Sequence, residues 1–160
     1  MFFDKRAVLL VVLLASTVGL RAFDLQYGTL FKVSGITLSS DGLPVLPLAR
    51  GKYANVRVLD RNTFEFLQTC GPSCKQQEAA GQTEVISFRA AKTRPDMWIA
   101  DVAVDNRWLL TFLVFKNKSG FSVVAPSDIT VRDRMWLSHV EQLLQARAEQ
   151  GVVEEKSHAM

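Results

Sequence analysis

Four runs in the second half of the chain alternate along their length with a period of two. "TEVISFRAA" sets Ile86, Phe88 and Ala90 against Val85, Ser87 and Arg89. "MWIADVAVD" sets Trp98, Ala100, Val102 and Val104 against Ile99, Asp101, Ala103 and Asp105. "RWLLTFLVFK" puts Trp108, Leu110, Phe112 and Val114 opposite Leu109, Thr111, Leu113 and Phe115, and "GFSVVA" supplies a short fourth run. Successive side chains of a strand point to opposite faces, so such alternation, broken by polar or glycine-containing turns, predicts strands. Asp105-Asn106-Arg107 joins the second and third runs tightly enough for a hairpin. The four runs predict an antiparallel meander.

The period then changes. Trp136, Val140, Leu143 and Leu144 recur at helical spacing with Leu137 beside them, an apolar stripe suited to packing on the sheet. Ser127 or Asp128 can cap this helix, Thr130 with Asp133 offers a second start, and Gly151 suits its C-terminal end. The expected fold class is α+β: a meander with one C-terminal amphipathic helix packed on it, and a β-rich N-terminal half. The third run is apolar on both faces, which predicts cover on both. The helix is expected on one face and the N-terminal strands on the other.

The first half alternates less clearly. "KYANVRVLDRNTFEFLQT" predicts a hairpin of Tyr53–Leu59 and Thr63–Thr69 turning at Asp60-Arg61-Asn62. "GTLFKVSGITL" predicts a further strand or pair. Pro44 and Pro47 confine "GLPVLPL" to an edge or an extended crossing, because proline cannot donate to a sheet ladder.

The N-terminus changes the picture of compartment. Lys5 and Arg6 precede an uncharged run from Ala7 to Leu20. That run is shorter than the roughly 20 residues a membrane-spanning helix needs, and it fits the apolar region of a secretory signal. Leu20-Arg21-Ala22 then serves as an imperfect cleavage triplet. Residues 1–22 are expected to be a signal peptide, or an anchor if uncleaved; residues 23–150 a single domain; and residues 151–160 a flexible tail. The expected location is periplasmic or secreted. Lys5, Arg6 and Arg21 against Asp4 account for most of the net charge of +3, which leaves the remainder nearly neutral. A nucleic-acid partner would call for a clear basic excess, so none is expected.

An oxidising compartment also decides how the two cysteines are read. Cys70 and Cys74 flank Gly71 and Pro72, and a disulfide closing that tight loop is the simplest reading. A thiol–disulfide enzyme is the outside alternative. It lacks the two-residue spacing and a helix N-terminus at Cys70 to lower the thiol's pKa. No histidine or further cysteine completes a zinc set, so neither metal nor cofactor is expected.

Catalytic chemistry has little to stand on. His158 lies in the tail, and His139 flanks the helix stripe as a surface residue. No phosphate-binding glycine loop or nucleophile elbow occurs. Asp101 and Asp105 fall on the outer side of their strand, where a solvated face accounts for both.

One constellation follows from topology. In a meander alternate loops fall at the same end, so "AAKTRPD" and "KNKSG" share one. Lys92, Arg94, Lys116 and Lys118 converge there with Trp98 close by, a docking patch for an anionic partner. Asn117-Lys118-Ser119 also matches the N-glycosylation acceptor pattern. The expectation is a non-catalytic extracytoplasmic binding or assembly module that docks a protein partner or anionic envelope component. A membrane-anchored subunit of an envelope or secretion complex is the alternative, with membrane contact only if the N-terminal segment stays uncleaved.

Overall fold

The period-two runs form strands, as their alternation requires. A computed structural model describes residues 21–48, 54–71 and 74–158, with side chains as far as Gly151. The elements in the first half are β1 (Phe23–Tyr27), β2 (Phe31–Leu38), β3 (Pro44–Val45), β4 (Val56–Val58), α1 (Arg61–Thr69) and β5 (Cys74–Gln76). In the second half they are β6 (Thr83–Ala91), β7 (Arg94–Val104), β8 (Trp108–Asn117), β9 (Gly120–Val124), β10 (Ile129–Val131) and α2 (Arg134–His158).

Two five-stranded sheets result. The first has the order β10-β2-β1-β5 with β3 also paired to β2, and the second has β4-β8-β7-β6 with β9 also paired to β8. The expected meander is β6 to β9, antiparallel throughout. Its central turn places Asp105 and Asn106 at φ 52 and 54, and Arg107 N–H donates to the Val104 carbonyl at 3.0 Å. Two positive φ values match the twist of the flanking strands, and Asp and Asn tolerate that region better than most residues. The proline-bearing β3 sits on the edge of β2 as predicted.

Each sheet borrows a strand from the other half of the chain. β4 pairs with β8 along Trp108–Leu110, and β9 takes the same strand further on at Leu113–Asn117. β10 returns from beyond the meander to pair with β2 along Phe31–Val33. The turn between β1 and β2 is tight enough to demand glycine. Gly28 has φ +50, and a Cβ there would lie 2.5 Å from Ala79 Cβ.

Thr63–Thr69 is helical, which corrects the expected hairpin. Phe64 and Phe66 give that segment its look of alternation, but the buried residues are Thr63 and Leu67, four apart. Asp60, placed at the expected turn, is instead the N-cap, and its carboxylate accepts from Thr63 N–H at 3.2 Å. Tyr53, where the hairpin was to begin, lies outside the described residues. The start of α2 also differs. Asp133 Oδ1 accepts from the N–H groups of Met135 and Trp136 at 2.9 and 3.0 Å, while Thr130 belongs to β10. The helix continues through Gly151, so that glycine does not close it.

One core joins both sheets and α2. Tyr27 and Phe31 of the first sheet, Trp108 and Phe112 of the second, and Trp136, Val140 and Leu144 of the helix are all buried in it. The Phe31 ring centroid lies 6.3 Å from that of Trp108 and 5.6 Å from that of Trp136. The first sheet and α2 therefore share the inner face of the meander, which corrects the expectation that they cover opposite faces. Met97, Ile99, Leu113 and Phe115, on the outer faces of β7 and β8, line a groove instead of a second core.

Candidate functional site

The β6–β7 and β8–β9 turns do share an end. Ala91 pairs with Arg94 at one turn, Asn117 with Gly120 at the other, and Met97 with Phe115 between them. Lys92, Lys116 and Lys118 are exposed there. None makes an ion pair among the described residues. Arg94 is engaged within the chain. Its guanidinium reaches Asp96 at 3.6 Å and lies 5.4 Å from the centre of the Phe115 ring. In the neighbouring turn the Asn117 side-chain oxygen accepts from the N–H and hydroxyl of Ser119, both at 3.0 Å.

Trp98 does not join this patch. It is 8% exposed, stacked 6.3 Å from Phe88 and edge-on to Phe121 at 5.7 Å, all on the inner face. Its parity along β7 put it with Ala100 and Val102 from the start. Nearness to the turn suggested a surface contact, but the indole is a core residue that braces the strands beneath the basic tips.

Asp101 holds the centre of the outer face. A solvated carboxylate was expected; it is 8% exposed instead. Cross-strand register explains the difference, because Ser87 and Thr111 stand directly opposite Asp101 on either side. Thr111 donates to it at 2.7 Å and Ser87 at 2.9 Å. Arg89 and Arg57 add donors at 3.1 and 3.2 Å. Burial pushes the carboxyl pKa up, but the bonds from Thr111, Ser87 and Arg89 with the charge of Arg57 outweigh it and hold the group below its ordinary value. The side chains of Arg57 and Arg89 are themselves 47% and 54% exposed. Arg57 spends part of its five-donor guanidinium on Asp101, Arg89 divides part of its own between Asp101 and the Ser87 hydroxyl at 3.1 Å, and each keeps the remaining donors.

This network floors a groove of about 850 Å³ that also involves Met97, Ile99, Leu113, Phe115, Val124 and Arg94. Of the apolar walls, Met97, Ile99, Leu113 and Phe115 are half-buried without belonging to the core, and Val124 is exposed. Sequence alternation alone did not reveal the site, since its polar members come from four different strands.

At the opposite end of the meander Asp105 has a structural task. It accepts from the Tyr27 hydroxyl at 2.6 Å, Gly81 N–H at 3.1 Å and Gln82 N–H at 2.8 Å. A shallower cavity of about 670 Å³ lies beside it, lined in part by Asp60, Gln76 and Arg107.

Cys70 and Cys74 form a disulfide, with Cα atoms 5.2 Å apart. Cys70 caps the C-terminal end of α1, and Cys74 opens β5. The negative end of a helix dipole disfavours a thiolate, the reverse of what a reactive cysteine needs. His139 is exposed on α2, and the side chain of His158 lies outside the described residues. Among the described residues no cluster of His, Cys, Asp or Glu could hold a metal ion, and no helix is long and apolar enough to cross a membrane. The Ala7–Leu20 run lies outside them. No family model, curated protein or solved structure matches the chain.

Proposed function

We propose that this chain is a non-catalytic extracytoplasmic binding or assembly module that docks an anionic protein partner or envelope component through the basic end of its second sheet. The observation that carries the reading is the gathering of Lys92, Lys116 and Lys118 on adjacent hairpin tips, exposed and without ion-pair partners among the described residues. Charges held on packed strands act together on a nearby anion, and the attraction is screened over about 8 Å at physiological ionic strength. Export rests on the sequence alone, on the basic start and the uncharged Ala7–Leu20 run that fits a secretory signal. The position of Cys70 favours a staple over a redox centre.

The test captures binding components from envelope fractions over a series of salt concentrations, using wild type and the Lys92→Glu, Lys116→Glu double variant. Wild type should retain a component in a salt-dependent way, and the double variant should lose it. Glu84→Lys, exposed near the far end of β6, is the control and should leave capture unchanged. Equal capture by all three would end the reading. N-terminal sequencing of the exported protein should give a start at Phe23; an intact Met1 in membranes would make it an anchored subunit.

A further inference from the structure

We propose that the groove on the outer face of the second sheet binds a small amphiphilic anion, a carboxylate carrying an apolar body, with the head on Arg57 and Arg89 and the body along Ile99, Leu113 and Phe115. The inference concerns a different surface from the lysine tips and stands without them.

Three observations lead here. The groove's volume, about 850 Å³, falls in the range of roughly 300–1,000 Å³ typical of small-molecule sites. Its walls are apolar on a sheet face where strand alternation would place polar residues, and the core takes none of those side chains. Its charged lining holds three guanidiniums, Arg57, Arg89 and Arg94, against the single carboxylate of Asp101.

Asp101 explains how the arginines are held ready. One oxygen takes Arg57 and the other Arg89, at 3.2 and 3.1 Å, so both side chains are fixed beside the apolar floor. The planar guanidinium fork matches a carboxylate with two parallel hydrogen bonds. A purely polar anion would leave the walls of Ile99, Leu113 and Phe115 unused. A neutral apolar molecule would leave the remaining guanidinium donors without a partner while displacing their water. An anion with an apolar body satisfies both.

The test is calorimetric titration of the mature protein with octanoate, octanol and acetate. Octanoate should bind at least tenfold more tightly than either of the others. The Arg57→Gln, Arg89→Gln double variant should lose at least tenfold in octanoate affinity. Those changes also strip donors from buried Asp101, so Met97→Glu provides a second variant that leaves the network intact. It places a like charge beside the site and should weaken octanoate by a similar factor, with circular dichroism unchanged. Lys92→Glu with Lys116→Glu should not alter octanoate binding, which separates this site from the docking tips. Absence of octanoate binding at millimolar concentration, or binding unaffected by Met97→Glu in a folded protein, would overturn the proposal.

Discussion

The Tyr27 hydroxyl donates a 2.6 Å hydrogen bond to Asp105 Oδ2 and so ties the first sheet to the turn between β7 and β8. Burial pushes the Tyr27 pKa well above its ordinary value of 10.0, and the bond to Asp105 and its charge push it further. The folded state therefore favours the neutral phenol. The stability this contributes is whole below the unfolded value and is lost progressively as pH rises above it. Denaturant unfolding between neutral pH and pH ~11 should show wild type losing stability more steeply than Tyr27→Phe. Parallel slopes would show that the tyrosine is not protected in this way.

Asp105→Ala should be worse than Tyr27→Phe. It removes the acceptor for Tyr27 and for the N–H groups of Gly81 and Gln82 together. The part-buried Tyr27 hydroxyl and Gly81 N–H, left unpaired, cost about 1–3 kcal/mol each, while the exposed Gln82 N–H can turn to water; alanine also suits the positive φ less well. Chemical denaturation should place its stability loss beyond that of Tyr27→Phe.

Asp101 gives the opposite pH dependence. Burial raises its pKa, the surrounding donors lower it by more, and the net shift is downward. Its contribution is present above the unfolded value, ~3.9, and disappears as pH falls through the lower folded one. Asp101→Asn should flatten that part of the acid unfolding curve. Replacing a buried, multiply bonded carboxylate should also cost about 1–3 kcal/mol at neutral pH. An acid transition identical in the two proteins would remove Asp101 from the account.

The disulfide closes a very short loop, for which the chain-entropy model gives only about 2 kcal/mol. Intact mass of the oxidised protein should show two hydrogens missing. Cys70→Ser with Cys74→Ser should stay folded, with a stability loss no larger than that figure and binding retained. Loss of function without loss of fold would point to redox chemistry.

Trp136 packs on Phe31, which in turn meets Trp108. Truncating a large buried aromatic costs about 3–5 kcal/mol, a large share of a domain's total stability. Trp136→Ala should therefore unfold the protein or lower its melting temperature severely in a thermal scan. An undisturbed melting curve would make the helix an interface in place of a core element.

The meander was legible because Phe88, Trp98, Trp108 and their neighbours repeat a local pattern, and Asp105-Asn106 supply the turn it needs. The α2 stripe was legible for the same reason. Segment α1 was not, since Phe64 and Phe66 imitate a strand while Asp60 stabilises the helix through a cap. Nothing local states which face of β8 the first sheet and α2 will choose, so their common side had to come from the structure. The Asp101 site was hidden for a related reason: Arg57, Ser87, Arg89 and Thr111 meet only once four strands are in register. Trp98 is the converse case: it lies near a turn, but its parity along β7 places it on the inner face, and it is buried there.

The exchange of β4 and β10 between the two sheets also governs when the protein can fold. For a chain that emerges N-terminus first, the first sheet lacks its outer strand until Ile129–Val131 arrives, and β4 has no partner until Trp108–Leu110 follows it out. Pairings so distant in sequence form slowly and reward the chain late. Neither sheet can be completed from one half of the chain alone. A chain made N-terminus first can therefore complete both sheets only once Ile129–Val131 is free, when most of its length has already emerged.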